Sequence, residues 1–397
     1  MTRDINMRRS CYLAFSLSLG LLVGCNDSEP KQDVTSVTKR EALTIAASKY
    51  QLQADILDVE DGYPREYSKG YHWEQIKWQD WTNGFFPGAL WMLSTYDNSF
   101  VPQAEKWTLP LKEAVNFNSH DLGFMINNTF GLAYRLTENE SYKPTLIQAA
   151  DNLLARYNSK VGSIRSWDFG HYKYPVIIDN MMNLDLLWDV GSLSSGVQAY
   201  RQVATQHAET AMRNHLRVDG STYHLIDYDP ENGEVFSKET VQGYSDSSTW
   251  SRGQAWAIYG FTQAYYQTKQ PQFLASAQLS AEYFLEHLPE DNVPPWDFSP
   301  QADQSIKDTS AAAVAASALW QLGEVSNNQR YKQRASDILS SLLVPKYFYA
   351  DTEIPALLKL ASGNVPAGRE VNTSLIYADY YFIEALLLQL GYIDWRL

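Results

Sequence analysis

A chain of 397 residues that is 45% hydrophobic and 13% aromatic is long enough for one large core or two medium ones, and too apolar for disorder. Its 46 Asp and Glu against 32 Lys and Arg leave a formal charge of −14, which argues against nucleic acid as a partner. An anionic small substrate is compatible only with a site that supplies its own cations.

Arg3, Arg8 and Arg9, the apolar run from Tyr12 to Leu22, and the closing Leu22-Val23-Gly24-Cys25 read as a secretory signal peptide over residues 1–25. Leu-Val-Gly-Cys also resembles the bacterial lipobox, which implies a lipid on Cys25 after cleavage. The expectation is an exported protein, lipid-anchored to the bacterial envelope at the outer membrane and facing the periplasm or the surface. The two cysteines are Cys11 and Cys25, so the mature body has no thiol to pair and relies on core packing. Residues 26–39 are polar and suit a flexible tether, which leaves 40–397 as the folded domain. Without residues 1–25 the chain carries 29 Lys and Arg against 45 Asp and Glu, a formal −16.

Beyond the tether the periodicity is helical, and alternating runs are few and fall in the longer gaps. The pattern predicts about twelve helices, over 40–57, 84–96, 101–117, 121–137, 142–157, 180–192, 193–213, 250–267, 271–288, 308–323, 327–344 and 372–390. Helix 142–157 is amphipathic, as are 271–288 and 327–344, and these suit an outer layer. Helices 121–137 and 180–192 are apolar nearly all round and 308–323 is alanine-rich, which suits an inner layer of close-packed helices. Most connections leading into inner helices are long, so the long loops gather at one rim. Six such outer and inner pairs describe an all-α (α/α)6 toroid.

Trp73, Trp78, Trp81, Trp167, Trp250, Trp256 and Trp296 fall near that rim, and aromatic floors suit sugars. The same large rings also serve simply as plugs at the end of a barrel. Around them stand Trp81-Thr82-Asn83-Gly84, His120-Asp121, Asp179-Asn180, the run from Trp250 to Trp256, Asp308-Thr309-Ser310, and Arg369 to Ser374. Asp179 reads locally as the N-cap of helix 180–192, and Asp121 as the same for 121–137. No two of the seven histidines stand at i, i+4, the spacing of a helical metal-binding pair, and no phosphate loop, dinucleotide fingerprint or GxSxG elbow occurs. No metal or cofactor is expected, and carboxylate chemistry is left. Two facing acids repel, which raises one pKa, whereas a helix N-terminus lowers it.

HDLGF at 120–124, IIDNMMNL at 177–184, QGYSDSSTWSRGQAWAIYG at 242–260, PPWDF at 294–298, DTSAAAVAASAL at 308–319 and SLIYADYYFIEALL at 374–387 lie in order along the chain. Together they resemble the unsaturated glucuronyl hydrolases of glycoside hydrolase family 88, collinearly from about Trp81 onward. The resemblance implies hydration of the C4=C5 double bond of a 4,5-unsaturated uronic acid at the non-reducing end of a lyase-generated oligosaccharide. It implies Asp179 as the group that protonates C4 and Asp121 as a second acid that holds substrate hydroxyls and tunes Asp179. It places His224 and Gln242 near the C4–C5 face, Arg252 as a polar contact, and Trp81, Trp250 and Trp256 as stacking walls. On its residues alone His224 reads as a structural strand histidine. Arg369 and Asn372 are candidate contacts to a uronate or sulfate.

Two other readings fit parts of the pattern. Unsaturated rhamnogalacturonyl hydrolases share an acid in the Asp179 role, but HDLGF with its second acid favours the glucuronyl group. A Trp-rich, lipid-anchored glycan-binding protein is the non-enzymatic alternative, and acids at both inner-helix mouths count against it.

Overall fold

Helix α1 (Lys39–Ile56) starts where the chain supplies a full capping box. The Thr38 hydroxyl accepts the Glu41 N–H, and the Glu41 carboxylate accepts the Thr38 N–H at 2.7 Å. The structure, a computed structural model, describes residues 36–68, 72–193 and 198–394. The expected signal peptide, Cys25 and most of the expected tether lie outside the described residues.

The helices that follow are α2 (Phe85–Leu93), α3 (Val101–Thr108), α4 (Leu132–Thr137), α5 (Lys143–Leu154), α6 (Leu184–Leu193) and α7 (Gln198–Asn214). Then come α8 (Ser251–Thr268), α9 (Pro271–Glu286), α10 (Thr309–Ser326), α11 (Gln329–Leu342) and α12 (Ile376–Leu390). Three expected helices are composite. The segment 101–117 changes after Thr108 into a 3-10 stretch, Leu109–Asn116, because Pro110 has no N–H to continue the α ladder. The segment 121–137 is a π-helix over Gly123–Gly131 that narrows into α4. Gly123 lies against another backbone there: a Cβ on it would meet Asn183 Cα at 2.4 Å. The third, 180–192, opens with a 3-10 turn, Ile178–Asn183, before α6.

The inner ring follows from helices that are apolar all round. Every residue of α2 is buried, as are Ala311, Ala312, Ala313, Ala315 and Ala316 of α10. In order, α2 packs on the π segment, the π segment on α6, the turn before α6 on α8, α8 on α10, α10 on α12, and α12 back on α2. Outside them α3 packs on α2, α5 on the π segment, α7 on α6, α9 on α8 and α11 on α10, while α1 covers α12. This is the (α/α)6 toroid, closed where α12 packs on α2.

The long loops at the N-terminal ends of the inner helices carry three small antiparallel sheets. The first pairs β1 (Tyr63–Tyr67) with β2 (Glu74–Ile76) and with β8 (Ser374–Leu375), the second pairs β3 (Tyr157–Asn158) with β4 (Ser163–Ile164). The third sheet is β5 (Pro175–Ile177), β6 (Leu225–Tyr228) and β7 (Val235–Glu239), with Val176 opposite Ile226. Its register continues into Ile178, whose N–H donates to the His224 carbonyl at 2.9 Å. Asp179 and His224, 45 positions apart in sequence, are thereby brought together at the barrel mouth.

Candidate active site

Trp81, His120, Asp121, Phe124, Ile177, Asp179, Gln242 and Arg252 line a chamber of about 100 Å³ at this mouth. Trp81 and Gln242 also line an adjoining cavity of about 500 Å³, together with Arg65, Glu66, Glu74, Asn364, Arg369, Glu370 and Tyr377. Two acids thus face a small enclosed space that opens into a larger one.

Asp179 does not cap a helix, in contrast to its local sequence reading. It falls inside the 3-10 turn, whose N-cap is Ile177, and its Oδ2 has no hydrogen-bond partner among the described residues. The nearest basic group is His224, whose Nε2 lies 3.8 Å from that oxygen. His224 Nδ1 accepts the Val241 N–H at 3.0 Å, so the ring proton of the neutral imidazole sits on Nε2 and points at Asp179. Burial lowers the His224 pKa to about 3, with the His215 and Arg252 charges acting in the same direction. The ring is a neutral donor. Burial raises the Asp179 pKa to about 7; Arg252 opposes the shift and Asp121 adds to it. Desolvation outweighs the cation because the chamber is closed on most sides.

Asp121 is likewise raised to about 7 by burial, against a hydrogen bond from Asn183. Asn183 ties the two acid-bearing segments together: its Nδ2 donates to Asp121 Oδ1 at 3.3 Å and its Oδ1 accepts the Phe124 N–H at 2.9 Å. His120 Nε2 lies 3.3 Å from Asp121 Oδ2, and burial holds that histidine neutral with a pKa of about 3. Burial, more than mutual repulsion, is what lifts both carboxyls.

Arg252 and two of the tryptophans stand differently from their expected roles. Arg252 Nη1 donates to Asp308 Oδ2 at 2.7 Å and to the Ser362 carbonyl at 2.5 Å, and Nη2 donates to the Gly363 carbonyl at 2.6 Å. Gln242 Nε2 donates to the same Gly363 carbonyl at 3.0 Å. Both side chains hold down the hairpin 361–373, closed by paired bonds between Ala361 and Thr373 and between Asn364 and Arg369. Trp256 is fully buried against Phe124 and Tyr381 and does not line the chamber, so it is a packing support and not a stacking wall. Trp250, 3% exposed, lies under the Arg252 guanidinium at 4.4 Å and against His224 at 4.7 Å, and it too lacks a free face. Trp81 alone of the three lines both cavities.

Sequence reasoning missed Asn183, and it missed a bridge across the outer cavity. Arg65 Nη1 pairs with Asp80 Oδ2 at 2.5 Å and its Nε with Glu370 Oε1 at 2.7 Å, joining β1, the entrance to α2 and the hairpin. Arg369 lines the outer cavity from an exposed position, and Asn372 is exposed on the hairpin's return strand.

The mouth of an (α/α)6 barrel holding two largely enclosed carboxyls, both raised to about 7 by burial, is a site for acid–base chemistry. Residues 55–381 match Glycosyl Hydrolase Family 88. An unsaturated glucuronyl hydrolase from Formosa agariphila is 39% identical, with 96% of this chain and 98% of that protein aligned. An unsaturated chondroitin disaccharide hydrolase from Streptococcus agalactiae is 34% identical over 92% of this chain and 94% of its own. Among solved structures, an unsaturated glucuronyl hydrolase specific for heparin superimposes with a TM-score of 0.85 at 38% identity, covering 90% of this chain and 98% of that one. The chain belongs to glycoside hydrolase family 88. Its activity is that of an unsaturated glucuronyl hydrolase, a glycosidase that hydrates the C4=C5 bond of a terminal unsaturated uronic acid and so releases it.

Proposed function

We propose that Asp179 is the proton donor of this reaction and that Asp121 holds the substrate and keeps the Asp179 proton in place. The observation that carries the reading is the Asp179 carboxyl itself: enclosed, raised to about 7, with one oxygen unpartnered and faced by the neutral His224 Nε2–H. A carboxyl in that state is protonated often enough near neutrality to act as an acid and becomes a competent base once it has given the proton away.

The sequence of events follows from that proton. Asp179 delivers it to C4 of the vinyl ether, and positive charge develops at C5 and the ring oxygen. The Asp179 carboxylate then takes a proton from water, whose oxygen bonds to C5. The resulting hemiketal at C5 opens and the neighbouring sugar departs, so that one water is consumed and Asp179 ends protonated. His224 and Gln242 flank the C4–C5 face, and Trp81 is the aromatic wall. Fragments of sulfated glycosaminoglycans are the proposed substrates, supported by relatives described as acting on heparin and chondroitin products.

Heavy water tests the route. Turnover in it is expected to place deuterium at C4 of the released acid, to remove the ultraviolet absorbance of the alkene, and to leave saturated glucuronides untouched. A product without deuterium at C4, or turnover of a saturated glucuronide, would instead mean that the two acids attack the anomeric carbon as a conventional pair.

The protein is further proposed to be held at the cell envelope by a lipid on Cys25, on the strength of the Leu22-Val23-Gly24-Cys25 motif. Several acyl chains on one terminus hold far more firmly than one. Cys25→Ser is therefore expected to move the protein from the membrane fraction to the soluble fraction, and wild type already found in the soluble fraction would refute the anchor.

A further inference from the structure

The inner ring encloses a second cavity at the end opposite the active site, where the inner helices finish. It has a volume of about 270 Å³, and all six inner elements contribute to its wall. The charge of that wall is not balanced. Among the described residues Arg135 is its one basic side chain, and it is already committed: Nη1 donates to Asp189 Oδ2 at 2.7 Å, where Asn127 and Gln267 also donate to the same carboxylate. Among the described residues neither Asp185 nor Glu384 forms an ion pair, and Arg135 acts on Asp185 only at longer range. Glu384 accepts only neutral hydroxyls, from Tyr259 at 3.0 Å and from Ser317. Asp185 Oδ1 is buried with no hydrogen-bond partner, and so is Asn128 Nδ2.

A second observation points into the cavity. Tyr380 is 4% exposed, lines this space, and its hydroxyl has no hydrogen-bond partner among the described residues. The phenol hydroxyl opens onto the cavity, where it is free to bond whatever fills the space. Here a donor and acceptor, an amide donor and two carboxyls without an ion pair among the described residues converge on one void, while Tyr259 and Tyr266 add ring surface.

We propose that this cavity binds a small hydroxylated organic cation, a primary ammonium of the amino-alcohol class, between Asp185 and Glu384. The ammonium supplies the positive charge that the two carboxyls lack and stacks against tyrosine faces. Its hydroxyl takes the free bonds of Tyr380 and Asn128. A bare metal ion fits less well, since among the described residues no three His, Cys, Asp or Glu side chains are grouped to hold one. Among the described residues the groups facing the cation from every packed element are Asp185 and Asp189 on α6, Arg135 on α4, Tyr259 and Tyr266 on α8, Tyr380 and Glu384 on α12, and Asp394 beyond it. Burial raises the Glu384 pKa to about 7 and, with Asp189, raises that of Asp185 well above the usual carboxylate range. Cation entry reverses both shifts, so binding releases protons and strengthens as pH rises from 6 to 8.

Calorimetric titration of the full-length protein with ethanolamine at pH 7.5 tests the site. A saturable one-to-one heat is expected, absent with the neutral isostere ethylene glycol and weakened at least about tenfold in Glu384→Gln or Asp185→Asn, each of which removes one charge at constant shape. Asp179→Asn, at the other end of the barrel, is expected to bind as wild type does. No saturable heat, equal heat from ethylene glycol, or unchanged binding in both charge-removing variants would overturn the proposal. Loss of the heat in Asp179→Asn would do so too, by placing the ethanolamine in the active site.

Discussion

Asp179→Asn is expected to fold as wild type does and to lose at least about 10³-fold in turnover, the scale of a positioned general acid. An amide has the shape of the carboxyl but no proton to give at C4. The fold draws no stability from the charge, because Asp179 caps no helix and its Oδ2 bonds nothing among the described residues. The folded-state pKa of about 7 lies above the ordinary 3.8, so the folded protein holds this proton more tightly than the unfolded chain. That contribution is complete below about pH 4 and disappears as pH rises through about 7, where the ionised carboxylate becomes a burden. At pH 8 the Asn variant should therefore melt no lower than wild type. The same pKa sets the rate profile: kcat/KM of wild type should fall as pH rises through about 7. Asp121→Asn removes a neighbouring negative charge and should move that fall to lower pH. Activity within tenfold of wild type in purified Asp179→Asn would remove Asp179 from the mechanism.

Asp308→Ala is expected to cost about 3–5 kcal/mol, the price of leaving a buried guanidinium without its carboxylate. Both side chains are all but inaccessible, 2% for Arg252 and 0% for Asp308. The damage should extend to catalysis. Asp308 Oδ1 also accepts the Ser310 N–H at 3.0 Å and the Ser362 N–H at 3.3 Å, so α10, Arg252 and the hairpin 361–373 share one anchor. Urea unfolding checks the first part through its midpoint. A loss below about 1 kcal/mol would mean that water or a shifted neighbour replaces the carboxylate with ease. A disaccharide titration checks the second, and KM should rise as the outer wall loosens.

The barrel was legible because helix layers leave a signature in single segments. The apolar girth of 121–137 and the alanines of 308–323 announce burial on all sides, and the loop lengths place the mouth. The acids were legible as acids in apolar surroundings, but not in their local geometry. A residue before an apolar helix matches the capping pattern, and nothing nearby encodes that 178–183 would wind as a 3-10 turn. The role of Arg252 was hidden for a different reason. Its partners are 56, 110 and 111 positions away in sequence, at Asp308, Ser362 and Gly363, and no periodicity reports such pairings. The tryptophans illustrate the remaining limit: proximity to a rim in sequence does not say whether a ring faces the void or the packing beneath it.

Because α1 lies on α12, this ring has a seam made from the two ends of the chain. Lys39 Nζ donates to Gln389 Oε1 at 2.7 Å across 350 positions. During synthesis the other five sides can assemble as they emerge, yet the seam cannot close until α12 has left the ribosome. Until then the apolar flanks of α2 and α10 stand open. Closing so long a loop is slow in the sense that topology sets folding speed, although the added entropy grows only with the logarithm of length. Nascent chains halted short of α12 should thus be the species that chaperones hold. A circular permutant that joins the ends of α12 and α1 directly would close its seam early and fold faster.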